Sequence, residues 1–178
     1  MNDYSTQTII SATEPDWSRE VKSFWAWSPS RSLLASIRTY QRHRGSRHPV
    51  QILLRMLATL QHKFWSVVTG ADIPLNCQLG GGLVLPHPNG IVIHPGARIG
   101  PNCMIFQQVT IGGRDDGSVP TVGGHVDFGA GAKVLGGVHI GNHARIGANA
   151  VVLEDVPVHA TVVGIPARVV GTHGHLNP

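Results

Sequence analysis

Two polar residues interrupt an otherwise apolar pattern, and their chemistries are complementary. Asp72 stands directly before Ile73, and His87 lies inside Leu85-Pro86-His87-Pro88-Asn89-Gly90. An imidazole with a pKa near 6.5 accepts a proton at neutral pH, and a carboxylate behind it selects the tautomer and stabilises the imidazolium as it forms. Hydroxyl groups are weak nucleophiles without such a base. His87 is therefore the candidate general base, Asp72 its orienting partner, and the chemistry a group transfer onto a hydroxyl. Plainer roles stay open: a turn residue for His87, and a turn or cap residue at a helix-to-coil junction for Asp72.

The element that must position them is a repeat of six residues. Ile93-His-Pro-Gly-Ala97, Ile99-Gly-Pro-Asn-Cys103 and Ile105-Phe-Gln-Gln-Val109 follow one another. After an interruption the pattern resumes at Phe128-Gly-Ala-Gly-Ala132, Ile140-Gly-Asn-His-Ala144 and Ile146-Gly-Ala-Asn-Ala150. An aliphatic or aromatic residue opens each unit and a small or β-branched one follows four positions later. Such a period is neither helical nor the alternation of a β-sandwich strand. It predicts one short strand and one turn per unit, stacked around a column of aliphatics. Ile73, Leu79 and Leu85 continue it backward, with two extra residues entering near Gly90 to Val92. With three units to a turn of about 18 residues, Asp72 and His87 fall on neighbouring rungs.

The expected fold class is thus mainly β: a parallel β-helix over residues 71–171, preceded by a short α-helical region over 15–70. Apolar spacing predicts helices over 16–27, 30–43 and 49–69, the second capped by Ser30. Leu33, Leu34, Ile37 and Tyr40 share one face of the second helix. Leu53, Leu54, Leu57, Leu60 and Phe64 share one of the third, and both faces are expected to pack on the open end of the coil. Residues 112–121 lack apolar period and should leave the coil as a loop, the usual carrier of binding function on a rigid scaffold. Residues 1–14 read as disordered and 172–178 as a flexible tail.

The formal charge of +4 is uneven: residues 1–70 hold nine Lys or Arg against four Asp or Glu, and residues 71–178 five against six. A basic surplus attracts anionic partners of several kinds, or simply solvates a helix face. Val50 to Gly70 is interrupted by Arg55, Gln61, His62 and Lys63, so no membrane span is expected, and the absence of a secretory signal pattern predicts a cytoplasmic protein. Cys77 and Cys103 make no disulfide framework. His139 with His143, and His173 with His175, have spacings seen in metal sites, but zinc needs three or four converging ligands, and no metal is expected. Gly80-Gly-Gly82 lacks the context of a phosphate loop and reads as a turn.

Asp72-Ile73, Leu85-Pro-His-Pro-Asn-Gly-Ile-Val92, Val109-Thr-Ile-Gly-Gly113, Gly129-Ala-Gly-Ala-Lys-Val-Leu-Gly136 and Val163-Gly-Ile-Pro-Ala-Arg-Val-Val-Gly171 together resemble the bacterial serine acetyltransferase family of hexapeptide-repeat acyltransferases. The resemblance covers about residues 50–171. It implies a left-handed β-helix, a homotrimer with active sites between subunits, acetyl-CoA as acyl donor, and Asp72 and His87 as the catalytic pair. It further implies that Gly113, Ala130 and Ala148 line the pantetheine channel, with Arg168 near the nucleotide. The acceptor half departs from the family pattern. Pro86 replaces the family's Asp before the histidine, and Ser118 and Val119 occupy the positions of an Arg-His pair that grips the amino acid. The expected acceptor is therefore L-serine or a saccharide or other hydroxylated metabolite, with no nucleic acid involved. A non-catalytic trimeric scaffold is the competing class.

Overall fold

In the computed structural model, residues 10–23 and 25–172 are described. Short parallel strands wind around three walls. The first wall stacks Val92–Ile93, Thr110–Gly112, Lys133–Leu135 and Val151–Val152. The second stacks Gln78–Leu79, Arg98–Ile99, Thr121–Val122 and His139–Ile140. The third stacks Met104–Ile105, Asp127–Phe128, Arg145–Ile146 and Ala160–Val163. The chain visits the walls in rotation, so the three sheets are faces of one coil.

Register shows how the repeat makes the prism. Thr121 pairs with His139 and Lys133 with Val151, eighteen positions apart. Gln78 pairs with Arg98, two positions more, the insertion expected near Gly90. Thr110 pairs with Lys133, twenty-three apart, so the loop of residues 113–120 adds five net residues to its coil. The opening residues Ile73, Ile93, Ile105, Ile111, Phe128, Ile140 and Ile146 are buried in one continuous core, with Cys77, Cys103 and the alanines between them.

The antiparallel strand Arg168–Thr172 corrects the expectation of a coil running to residue 171. Beyond Gly164 the chain turns back on the third wall and covers that end of the prism. Residues 173–178, with His173 and His175, lie outside the described residues, as do residues 1–9.

Helix α1 (Pro29–His43) closes the opposite end. Leu33, Leu34 and Ile37 join the coil core. Pro29, not Ser30, begins the helix, because its locked φ and missing N–H suit the first helical position. Arg38 donates to the carbonyls of Leu79 and Gly80, and Gln41 to that of Cys77. These are carbonyls of the first coil, which has no coil beneath it, so α1 satisfies an edge that would otherwise recruit another strand.

Three further expectations are corrected. The described residues of 16–27 form no α-helix: a single 3-10 turn spans Trp17–Glu20, because the backbone there is claimed by tertiary partners such as Asn102. Residues 11–14, expected to be disordered, are held on the coil by buried Asn102, whose Nδ2 donates to the carbonyls of Ser11 and Glu14. Finally, α2 (Pro49–Thr69) does not bury its leucine face; Leu53, Leu57, Leu60 and Phe64 are exposed.

One corner of the prism stacks His125, His143 and His159, all at positive φ. The Nδ1 atoms of His125 and His143 are 2.9 Å apart, and the rings of His143 and His159 stack at 4.7 Å. One ring of the bonded pair must donate and the other accept, so the contact cannot hold both rings protonated. Burial lowers the pKa of His125, with Arg19 and Arg145 adding to the effect and Asp127 opposing it. The unfolded chain therefore takes up a proton below about pH 6.5 that folded His125 refuses, and stability falls as pH drops through that value. Thermal unfolding should show Tm declining from about pH 7 to about pH 5.5. His125→Asn, which tolerates positive φ, should flatten that slope; an unchanged slope would remove His125 as its source.

Candidate active site

Helix α2 ends at Gly70, whose φ of 65° makes it a left-handed C-cap. Two residues later Asp72 enters the first wall in a parallel bridge with Val92. Asp72 N donates to the carbonyl of Ile91, and Ile93 N to that of Asp72. Two walls further along the same coil, Val84 pairs on the third wall with Met104, and the chain then turns through Pro86–Gly90 to the first wall of the next coil. Gly90 N donates to Gly70 O, which locks that turn onto the end of α2. Asp72 and His87 thus occupy adjacent rungs, and both are exposed. Among the described residues no hydrogen bond joins the two side chains. Catalytic contacts are commonly loose until substrate binds.

The corner that carries His87 continues along the prism. Gln108 N donates to Asn89 O, Gly131 N to Gln107 O, and Asn149 N to Ala130 O. Ala130 and Ala148 therefore lie on the same edge as His87, one and two coils beyond Phe106. Close stacking there depends on Gly129, where a Cβ would come 2.5 Å from Ala148 N. Lys133 stands beside this edge and donates to the carbonyls of Gln108 and Gly131 at 2.6 and 3.0 Å.

The remaining expected residues are elsewhere in the single chain. Gly113 begins the extruded loop on the opposite edge of the first wall, where Arg114 N bonds Ser118 O and Asp116 accepts from Ser118 N. The Ser118 hydroxyl, and after it the Ser118 backbone N–H, lower the Asp116 carboxyl from its ordinary value. A cavity of about 450 Å³ is lined there by Gly113, Arg114, Asp115, Asp116 and Leu135. Arg168 is exposed beyond the third wall, 3.4 Å from Glu154.

Beside His87 a cavity of about 350 Å³ opens between the start of α1 and the end of α2. Ser30, Thr69 and Asn89 give it neutral polar groups, and Pro29, Val68, Pro86 and Pro88 complete the lining. Phe106 stands on the next coil, its ring centroid 6.5 Å from that of His87. Sequence reasoning missed Phe106, although a signal was present: the residue after the opening aliphatic is Gly in Ile99-Gly100, Ile111-Gly112, Ile140-Gly141 and Ile146-Gly147, and only here a large aromatic. Ser30, Thr69 and Asn89 carry no such mark, because their convergence depends on how the helices meet the coil.

Cys77 and Cys103 are both buried free thiols, and burial pushes each up to about 12. Among the described residues no group of three or more His, Cys, Asp or Glu is arranged to hold a metal ion. None of the described helices is long and apolar enough to cross a membrane.

A three-walled coil of hexapeptide units, with an acid and an imidazole on adjacent outer rungs, is the architecture of the hexapeptide-repeat acyltransferase superfamily. No family model matches the chain. It is 42% identical over 135 residues to a serine acetyltransferase of Synechococcus elongatus, covering 74% of this chain and 55% of that one. A serine acetyltransferase solved in complex with CoA superposes with a TM-score of 0.67 at 35% identity, covering 81% of this chain and 58% of that one. A soybean serine acetyltransferase complexed with serine gives 0.69 at 35% identity, with the same coverages. The chain belongs to the serine acetyltransferase-like family. It spans about half the length of the curated relatives it matches.

Proposed function

We propose that this protein is an acetyl-CoA-dependent O-acetyltransferase acting in the cytoplasm on a hydroxyl of L-serine or of another small acceptor such as a saccharide. The observation that carries this reading is the shared edge: the exposed imidazole of His87 lies on the rung next to the Asp72 carboxylate, at the head of a corner that passes Phe106 and then bears the short side chains of Ala130 and Ala148 on the two coils beyond it. A thin pantetheine arm lies against a wall only where side chains are short, and these two positions meet that requirement.

In this mechanism His87 takes the proton of the acceptor hydroxyl as the oxygen attacks the thioester carbonyl, and Asp72 stabilises the imidazolium that results. The bound CoA supplies the activated acyl group and a thiol leaving group. The proton held on His87 passes to the departing thiolate, which returns the imidazole to its starting state. A backbone N–H near Gly113 serves as oxyanion donor. Because Gly113 and His87 lie on opposite edges of one wall, this role requires the loop edge of one subunit to meet the His87 edge of the next. A cyclic homotrimer of left-handed coils, whose interfaces join two different surfaces, meets that need.

The acceptor cavity supports the wider acceptor range. Its polar lining, Ser30, Thr69 and Asn89, is neutral and suits hydroxyl groups, whereas a free amino acid is held best by charge-assisted bonds. Thiol release from acetyl-CoA, measured with L-serine beside sugars and sugar nucleotides, tests the reading and identifies the acceptor. Turnover with none of them would favour a non-catalytic scaffold. Ala148→Trp should raise the KM for acetyl-CoA by about tenfold or more while leaving the KM for the acceptor unchanged; an unaltered KM for acetyl-CoA would move the donor channel off this corner.

A further inference from the structure

Helix α2 is inverted. Its inward side carries Arg55, Thr59, His62, Ser66 and Thr69, all buried or half-buried, with His62 Nε2 2.8 Å from the carbonyl of Ile73. Its outward side carries Leu53, Met56, Leu57, Leu60, Phe64 and Val67, exposed by 47 to 84%. These residues recur every three or four positions along a helix of 21 residues, about 31 Å in length. Trp27, 75% exposed, extends the ridge by packing edge-on against Trp65. A continuous apolar face of this length on a soluble chain marks an interaction surface.

Charge specifies what covers it. From Val21 to Ala71 the sequence contains eight Lys or Arg and not one Asp or Glu. Arg38 is engaged with Glu20, but Arg42, Arg44 and Arg47 are exposed at the turn leading into α2, and exposed Lys63 borders the stripe. An apolar helix face with cations around it and tryptophan at its margin suits an anionic lipid surface: the stripe enters the boundary between headgroups and acyl chains while the cations meet lipid phosphates. A second α2 face offers no complementary charge, because the same stretch from Val21 to Ala71 in another copy carries the same cations and no acid.

We propose that α2 docks flat on an anionic bilayer, with Leu53, Leu57, Leu60, Phe64 and Val67 inserted and Arg42, Arg44, Arg47 and Lys63 on the headgroups. Val68 and Thr69, in the last turn of α2, line the cavity beside His87, so docking brings that cavity to the lipid surface. Binding requires no turnover, and this inference stands apart from the assignment of the reaction.

The test is cosedimentation of the full chain with vesicles of phosphatidylcholine alone and of an equimolar mixture with phosphatidylserine, alongside analytical ultracentrifugation without lipid. The expected result is binding to the anionic vesicles alone, reversed by salt and accompanied by a blue shift of tryptophan emission. Arg42→Gln, Arg44→Gln and Arg47→Gln together should weaken it by roughly 100-fold. Leu57→Glu with Leu60→Glu should abolish it at unchanged circular dichroism and unchanged sedimentation. Equal binding to neutral vesicles, or no binding to either, would overturn the proposal. So would a change of oligomeric state in the Leu57→Glu, Leu60→Glu variant, which would give the face to a second copy of the chain.

Discussion

His87→Ala is expected to lower acetyl transfer by about 10² to 10⁴-fold while leaving the Kd for CoA nearly unchanged. The side chain is exposed and its turn is held by backbone bonds from Gly90 to Gly70 and from Gln108 to Asn89, so the fold should survive its loss. On the proposed reading, transition-state assistance is removed while ground-state donor binding on the Ala130–Ala148 edge is left in place, which predicts a fall in kcat with little change in KM for acetyl-CoA. Asp72→Asn should act in the same direction but less severely, since the imidazole stays in place and loses only its anionic neighbour. The two losses should not add in the double variant, because both act through one proton transfer. Retention of most activity by His87→Ala, measured by thiol release with the best acceptor, would take the imidazole out of the mechanism.

The largest expected effect on stability is at Arg38. Its guanidinium grips Glu20 through two nitrogens, at 3.0 and 2.8 Å, and also donates to the carbonyls of Leu79 and Gly80. Glu20 in turn accepts from Leu83 N. The two side chains are only 15% and 9% exposed. Arg38→Met leaves the Glu20 carboxylate largely buried without its counterion and orphans two carbonyls at the coil edge, which should cost about 3–5 kcal/mol. For a chain of this size that is a fall in Tm of roughly 10 °C. Adding Glu20→Gln should recover part of the loss, because the uncompensated charge is gone while the edge carbonyls stay unpaired. Equal destabilisation in the single and double variants would show that the carbonyl contacts, and not the ion pair, hold α1 on the coil. Thermal unfolding followed by circular dichroism measures both.

Legibility differed from one element to another for physical reasons. The aliphatics at Ile99, Ile105, Ile111, Ile140 and Ile146 are buried as the period required, because an aliphatic recurring every six residues has one way to stay dry. The same logic failed at α2. Its stripe of Leu53, Leu57, Leu60 and Phe64 was plain in the sequence, but amphipathicity reveals only that two faces differ, not which of them meets the rest of the molecule. What α2 meets at Ile73 is a backbone carbonyl, and a carbonyl needs a donor such as His62; the apolar core of that coil end is already taken by Leu33, Leu34 and Ile37 of α1. Asn102 was unreadable for a similar reason. Its side chain looks like one more turn residue until the backbone of Ser11, Glu14 and Asp16 arrives from some ninety residues away.

Taken alone, the sequence determined the coil, its length per turn, the place of its insertion and loop, and the two residues whose chemistry suits proton transfer. All of these are encoded locally, in the spacing of apolar side chains and in residue types that break that spacing. Only the tertiary structure decided that Asp72 and the His87 turn are joined through Gly70 and Gly90, that Ala130 and Ala148 share their edge while Gly113 lies across the wall, and that α2 turns its leucines outward. Those outcomes depend on which backbone groups remain unpaired once the coil has closed, and that competition among distant segments leaves no periodic trace in the chain.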